Sequence, residues 1–225
     1  MQSFKIPASL ETVREAYPSA SDVARVAAHG GQEARFVLAR LWLSEGIPYA
    51  FRQRPAVYEA ARGWLATRLA VDPKEITVIG SARLGQSLAP GESMGKPFSP
   101  DSDLDLTVIS SSLFEKLRDA FNTWAYHYET GVASPKNPRE RMFWDDNLAR
   151  GPKILGRGFI DAKMIPLREG YPVSQAIGQT MFLLREKLKA TVEAPQVRGA
   201  SVRVYRDWSA FVMQIALSLA SSLPV

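Results

Sequence analysis

Apolar positions along the chain change period repeatedly. In the first seventy residues they recur every third or fourth position, the spacing of helices buried on one face. Ser21 is placed to cap a short helix over 22–28, which the Gly30-Gly31 pair should break. Val37, Leu38, Leu41 and Leu43 mark a second helix, expected to stop near Gly46-Ile47-Pro48. Pro55 can open a third, with Val57, Ala60, Ala61, Trp64, Leu65 and Leu69 on one stripe that reads as core packing. After the Asp72-Pro73 turn the pattern becomes strand-like. Ile76-Thr77-Val78-Ile79 is a β-branched run ending at Gly80, and 104–109 is a second strand. A helix is predicted over 112–128. Gly151, Gly156 and Gly158 precede a third strand, 159–165, closed by Pro166. Helical spacing returns over 173–190, 201–205 reads as a strand, and a last helix begins near Asp207.

This order predicts an α/β (α+β) fold, a small mixed sheet flanked by N- and C-terminal helices. The expected divisions are 1–70, helical and packed on the core; 71–170, the core itself; and 171–225, C-terminal helices, all in one compact unit. In the last helix Trp208, Phe211, Val212, Ile215, Ala216 and Leu219 share a face that Met213 and Leu217 extend. So apolar a helix must dock on the core, or meet a second copy or an effector protein. Its charge-free stretch, 208–225, is slightly short for a membrane span, so none is expected.

Composition narrows the chemistry. The chain has no cysteine and two histidines, His29 and His127, so disulfides, thiolate zinc sites and cysteine nucleophiles are excluded, and a multi-histidine metal site is disfavoured. The formal net charge of +5 favours anionic partners such as nucleotides. The N-terminal segment has no apolar run of signal-peptide type, which leads to the expectation of a cytoplasmic protein.

The candidate chemistry lies in 76–110, ITVIGSARLGQSLAPGESMGKPFSPDSDLDLTVIS. Side chains alternate across a strand, so Asp103 and Asp105 share one face, with Leu104, Leu106 and Val108 on the other. Two carboxylates roughly 7 Å apart along a strand repel, and a hard dication such as magnesium relieves the repulsion while keeping positions for phosphate and water. Gly80 lets backbone approach a phosphate, Ser81 adds a hydroxyl donor, and Arg83 is a candidate phosphate contact. Phe159, Asp161 and Lys163 fall on one face of the third predicted strand, where a lone carboxylate needs a partner. Asp101 reads as part of a turn. Arg203, Tyr205 and Arg206 are candidate contacts to base, phosphate or acceptor, or packing groups.

Gly80-Ser81 ending one strand and Asp103-Leu104-Asp105 on the next resemble the signature of the DNA polymerase beta-like nucleotidyltransferase superfamily. The resemblance covers about 76–164 and implies a sheet of nucleotidyltransferase type. It implies two magnesium ions, with Asp103, Asp105 and Asp161 as metal ligands and catalytic residues, Asp161 completing one ion site and helping to deprotonate the acceptor. It implies nucleoside triphosphate binding by Gly80 and Ser81, and by a basic residue on the helix after the third strand, of which Arg185, Lys187 and Lys189 are available and Lys187 is chosen. The pattern GS-x-x-x-G followed by SDLDL is similar to bacterial anti-phage defence nucleotidyltransferases of the cyclic-oligonucleotide-synthase class, and among standalone enzymes to the DNA-oligomer synthases of Hailong systems. That implies template-independent polymerisation or cyclisation of nucleoside triphosphates, ATP or dATP favoured, into an oligonucleotide signal. The chain departs from that class in its short C-terminal region and in the long Gly- and Pro-rich loop between Ser81 and Asp103, read as a lid or acceptor flap. Two alternatives stay open: nucleotidylation of a protein or tRNA, as by minimal nucleotidyltransferase antitoxins, and an inactive nucleotide-binding module marked by loss of a carboxylate.

Overall fold

Strand β2 (Asp103–Ile109) organises the molecule in the computed structural model, which describes residues 3, 4 and 6–221. β1 (Ile76–Ile79) runs antiparallel on one side of it and β4 (Gly199–Tyr205) parallel on the other, with β3 (Phe159–Asp161) antiparallel on the far side of β4. A parallel pair needs a long crossover. Here it contains helices α5 (Ser111–Glu129), α6 (Pro138–Gly156) and α7 (Pro172–Ala190) as well as β3.

Alternation along the strands gives the sheet two unlike faces. Leu104, Leu106 and Val108 stand beside Val78, Val202, Val204 and Ile160 and form the main core with α5, α7 and helix α3 (Pro55–Leu69). Asp103, Asp105, Thr107 and Ile109 stand on the opposite face beside Gly199, Ser201, Arg203 and Tyr205. The lower part of this second face is covered by helix α8 (Trp208–Ser221), whose Ala210 and Phe211 pack with Ile109, Phe159 and Tyr205. Helices α1 (Ala20–His29) and α2 (Gly31–Leu41) pack on α8 in turn, with Leu219 among Val23, Val26 and Leu38. The upper part of the face, with the two β2 carboxylates, is left open.

The mixed α/β architecture, with a four-stranded sheet flanked by helices from both ends of the chain, agrees with the expectation from pattern. Several boundaries differ for local reasons. The first helix is capped by Ser19, whose hydroxyl accepts the Asp22 N–H, so it starts before Ser21. The second stops at Leu41, and Leu43 is buried from the following turn. α6 was not anticipated, because Gly151 and Pro152 look like breakers. Inside the helix Gly151 has a packing role: a Cβ there would lie 2.0 Å from Phe121 Cζ of α5. β3 ends four residues early, as Ala162–Met164 form a short 3-10 turn that buries the consecutive residues Met164 and Ile165. Alternation cannot do that.

α8 docks through Ala210, Phe211, Ala216 and Leu219, while Trp208, Met213 and Leu217 stay exposed. The end of the predicted charge-free stretch, 222–225, lies outside the described residues. Among the described residues no helix is long and apolar enough to cross a membrane.

Candidate carboxylate site

The site starts where β1 ends. Ile79 is the Cα partner of Asp105, so the chain leaves the sheet beside that carboxylate. It leaves through Gly80, whose φ of 70° and ψ of −152° are a conformation open to glycine alone. The result is a sharp turn into the single-turn helix α4 (Ser81–Leu84). The position a Gly80 Cβ would take is 3.5 Å from Asp105 Oδ2, so backbone conformation, not space, requires the glycine.

Both β2 carboxylates have partners at the start of β4, one within it and one from the residue just before it. Ser201 Oγ donates to Asp105 Oδ1 at 2.7 Å. Arg198 forks onto Asp103, with Nε at 3.1 Å and Nη2 at 2.6 Å. That hydrogen-bonded carboxylate holds the Arg198 pKa above its ordinary value, although the pair is solvent-screened and weak in stability terms. Gly199 lies opposite Asp103, where a Cβ would be 3.2 Å from Asp103 Oδ1. Neither Arg198 nor Ser201 was singled out from sequence. The available signal was the small and polar alternation Gly199, Ser201, Arg203 against the apolar Ala200, Val202, Val204.

The third expected carboxylate is not brought to the pair. β4 lies between β2 and β3, which sets Asp161 about 9–10 Å away laterally by strand spacing. The register places it opposite Arg203 in the Thr107 row, one side-chain step below Asp105. There Arg203 clasps it with Nε and Nη2, both at 2.9 Å. Burial works against the Arg203 charge, and the Asp161 carboxylate more than reverses this, holding the guanidinium pKa above its usual value. The need for a partner is therefore met within the fold. Among the described residues no three His, Cys, Asp or Glu side chains stand together as metal ligands. The donor set of the Asp103–Asp105 pair, two carboxylates with a hydroxyl beside them, fits one hard dication. Asp161 does not fit as its third ligand.

Two expected nucleotide contacts also lie elsewhere. Arg83 is buried, and its Nε and Nη1 donate to the carbonyl oxygens of Trp42 and Gly46, each at 2.9 Å. Its guanidinium ties the 42–46 segment to α4 and is not presented to a phosphate. Lys187 sits 5.6 Å from the Trp64 ring centre in a groove between α3 and α7 whose lining contains no residue of β2.

The loop between α4 and β2 is an arch closed by backbone hydrogen bonds. Ser87 N–H donates to Lys96 O, Gly95 N–H to Ser87 O and Phe98 N–H to Gly85 O, at 2.9, 2.9 and 2.8 Å. Its Leu88 and Pro90 face Ile215 and Leu219 of α8 across a crevice of about 400 Å³ that reaches Gly80 and Arg203. The site thus combines an open carboxylate pair, a glycine turn beside it and a crevice with one arginine. Comparison with family models, curated proteins and solved structures finds no match to this chain.

Proposed function

We propose that the chain is a divalent-cation-dependent nucleotidyltransferase acting at Asp103 and Asp105. The observation that carries the reading is the β1–β2 register, which sets the Gly80 turn against Asp105 on the face that also bears Asp103. Asp103 and Asp105 would hold a magnesium ion, which when bound supplies charge neutralisation for a triphosphate and its leaving group. Gly80 admits a phosphate close to the backbone, and Ser81 offers it a hydroxyl. Arg198 serves as counter-charge to Asp103 until a cation replaces it. The resemblance carries the reading further, to template-independent joining or cyclising of nucleoside triphosphates into an oligonucleotide signal of anti-phage type, with ATP or dATP as first substrates to test.

One observation favours a second reading, an inactive nucleotide-binding module: Asp161 is committed to Arg203 and leaves the pair without a third carboxylate. Incubation with each labelled ribo- and deoxyribonucleoside triphosphate and magnesium or manganese separates the two. Transfer predicts pyrophosphate release and a product resolved by mass, lost in a folded Asp105→Asn variant. The module predicts triphosphate binding with no product in either protein.

A further inference from the structure

β3 covers β4 only at 203–205, so among the described residues the other half of that edge, 199–202, has no strand beside it. The 3-10 turn Ala162–Met164 bends away there and leaves a cavity of about 310 Å³ between β4 and α7. Its walls are apolar, with Leu167, Ile177, Met181 and Phe182. Gly178 of α7 lets Leu167 lie close, as a Cβ there would be 2.8 Å from the leucine. Two cations stand at this cavity. Arg185 lies over the Phe182 ring at 5.4 Å and is paired with Glu186 at 2.6 Å, whereas Lys163 has no ion-pair or hydrogen-bond partner among the described residues. The cavity also shares residues with the carboxylate site: Gly199, opposite Asp103, and Ser201, whose hydroxyl is on Asp105.

We propose that this cavity binds a mononucleotide and, resting on the transfer reading above, holds it as the hydroxyl-bearing acceptor. An apolar slot with an exposed phenylalanine suits a flat base, Lys163, unpaired among the described residues, suits its phosphate, and the volume is in the range of small-ligand sites. The cavity lies on the α7 side of β4 and Asp105 on the other, and the open edge at 199–202 is the route by which a sugar hydroxyl would pass Ser201 to reach Asp105. In the transfer step that hydroxyl oxygen bonds to the α-phosphorus of a nucleoside triphosphate. The bond from that phosphorus to pyrophosphate breaks, with its electron pair leaving on pyrophosphate, and the hydroxyl proton goes to the Asp105 carboxylate.

Calorimetric titration with adenosine 5′-monophosphate, without metal or triphosphate, tests the site directly. Lys163→Glu and Phe182→Ala alter exposed side chains and should fold, which circular dichroism checks. Wild type should bind at one site, and each cavity variant should weaken binding about tenfold or more. Adenosine and ribose 5-phosphate, each lacking half of the ligand, should bind at least as much more weakly. No binding at millimolar concentration, or binding untouched by both cavity variants, overturns the proposal. Binding with the expected pattern but no product from any triphosphate supports the cavity and overturns the transfer reading. Product formation with an unchanged monophosphate KM in Lys163→Glu overturns the acceptor site and leaves the transfer reading in place.

Discussion

Three arginines near the carboxylate strand do different work, and burial decides which. Arg198 is solvent-screened on Asp103, Arg203 is half-buried on Asp161, and Arg83 is enclosed with two carbonyl partners. Arg83→Ala leaves the Trp42 and Gly46 carbonyls without donors and should cost about 2–4 kcal/mol in urea unfolding. The substrate KM of the folded fraction should not change, whereas a phosphate contact would raise it. Asp161→Asn leaves the Arg203 charge poorly compensated and should destabilise by roughly 1–3 kcal/mol, less than the loss of a fully buried pair. At this scale Asp103 and Asp105 were legible because a two-residue period fixes their common face in any strand. The roles of Arg83 and Asp161 were not. A side chain on a one-turn helix can point either way, and the partner of a strand carboxylate depends on which strand lies beside it.

Helix α6 shows why element boundaries near glycine and proline are hard to read. Gly151 serves close packing of α6 on Phe121, so Gly151→Ala should destabilise by about 1–3 kcal/mol through overpacking despite better helix propensity. A stabilising effect in a denaturant titration would contradict that packing. Asp207 holds the first turn of α8 by accepting the Ala210 N–H at 2.8 Å. That backbone bond, with Arg206 next, keeps its carboxyl below the usual aspartate range. Protonation is therefore harder in the folded state. The stabilisation is present above the unfolded value, about pH 4, and is lost as pH falls through the lower folded value. Asp207→Ala should cost about 1 kcal/mol at neutral pH, and its melting temperature should converge on that of wild type in strong acid. A gap that does not narrow would count against the cap. Helices α3, α5 and α7 were legible to within a residue or so from their periodicity, with a proline in the first turn of α3 and α7 marking the start. β3 was overextended because the inward turn at Met164 and Ile165 breaks alternation only in three dimensions.

For the whole molecule the decisive feature is strand order. The last strand, β4, inserts between β2 and β3, and this one topological fact parts Asp161 from the carboxylate pair, supplies Ser201 and Arg198 in its place and opens the edge cavity against α7. Mixed sheet and flanking helices follow from hydrophobic period. Which strand pairs with which depends on long-range packing that a local pattern does not encode. The central claim, that the reacting site is the Asp103–Asp105 pair and that Asp161 belongs to the scaffold, is tested most directly by pyrophosphate release from nucleoside triphosphates with magnesium or manganese. Wild type, Asp105→Asn and Asp161→Asn should be compared at a temperature where all three are folded. The account predicts that Asp105→Asn loses turnover by at least about a hundredfold, the scale of a lost metal ligand, while Asp161→Asn stays within a few-fold of wild type. A folded Asp161→Asn protein as inactive as Asp105→Asn, or a wild type that releases no pyrophosphate from any triphosphate, would contradict it.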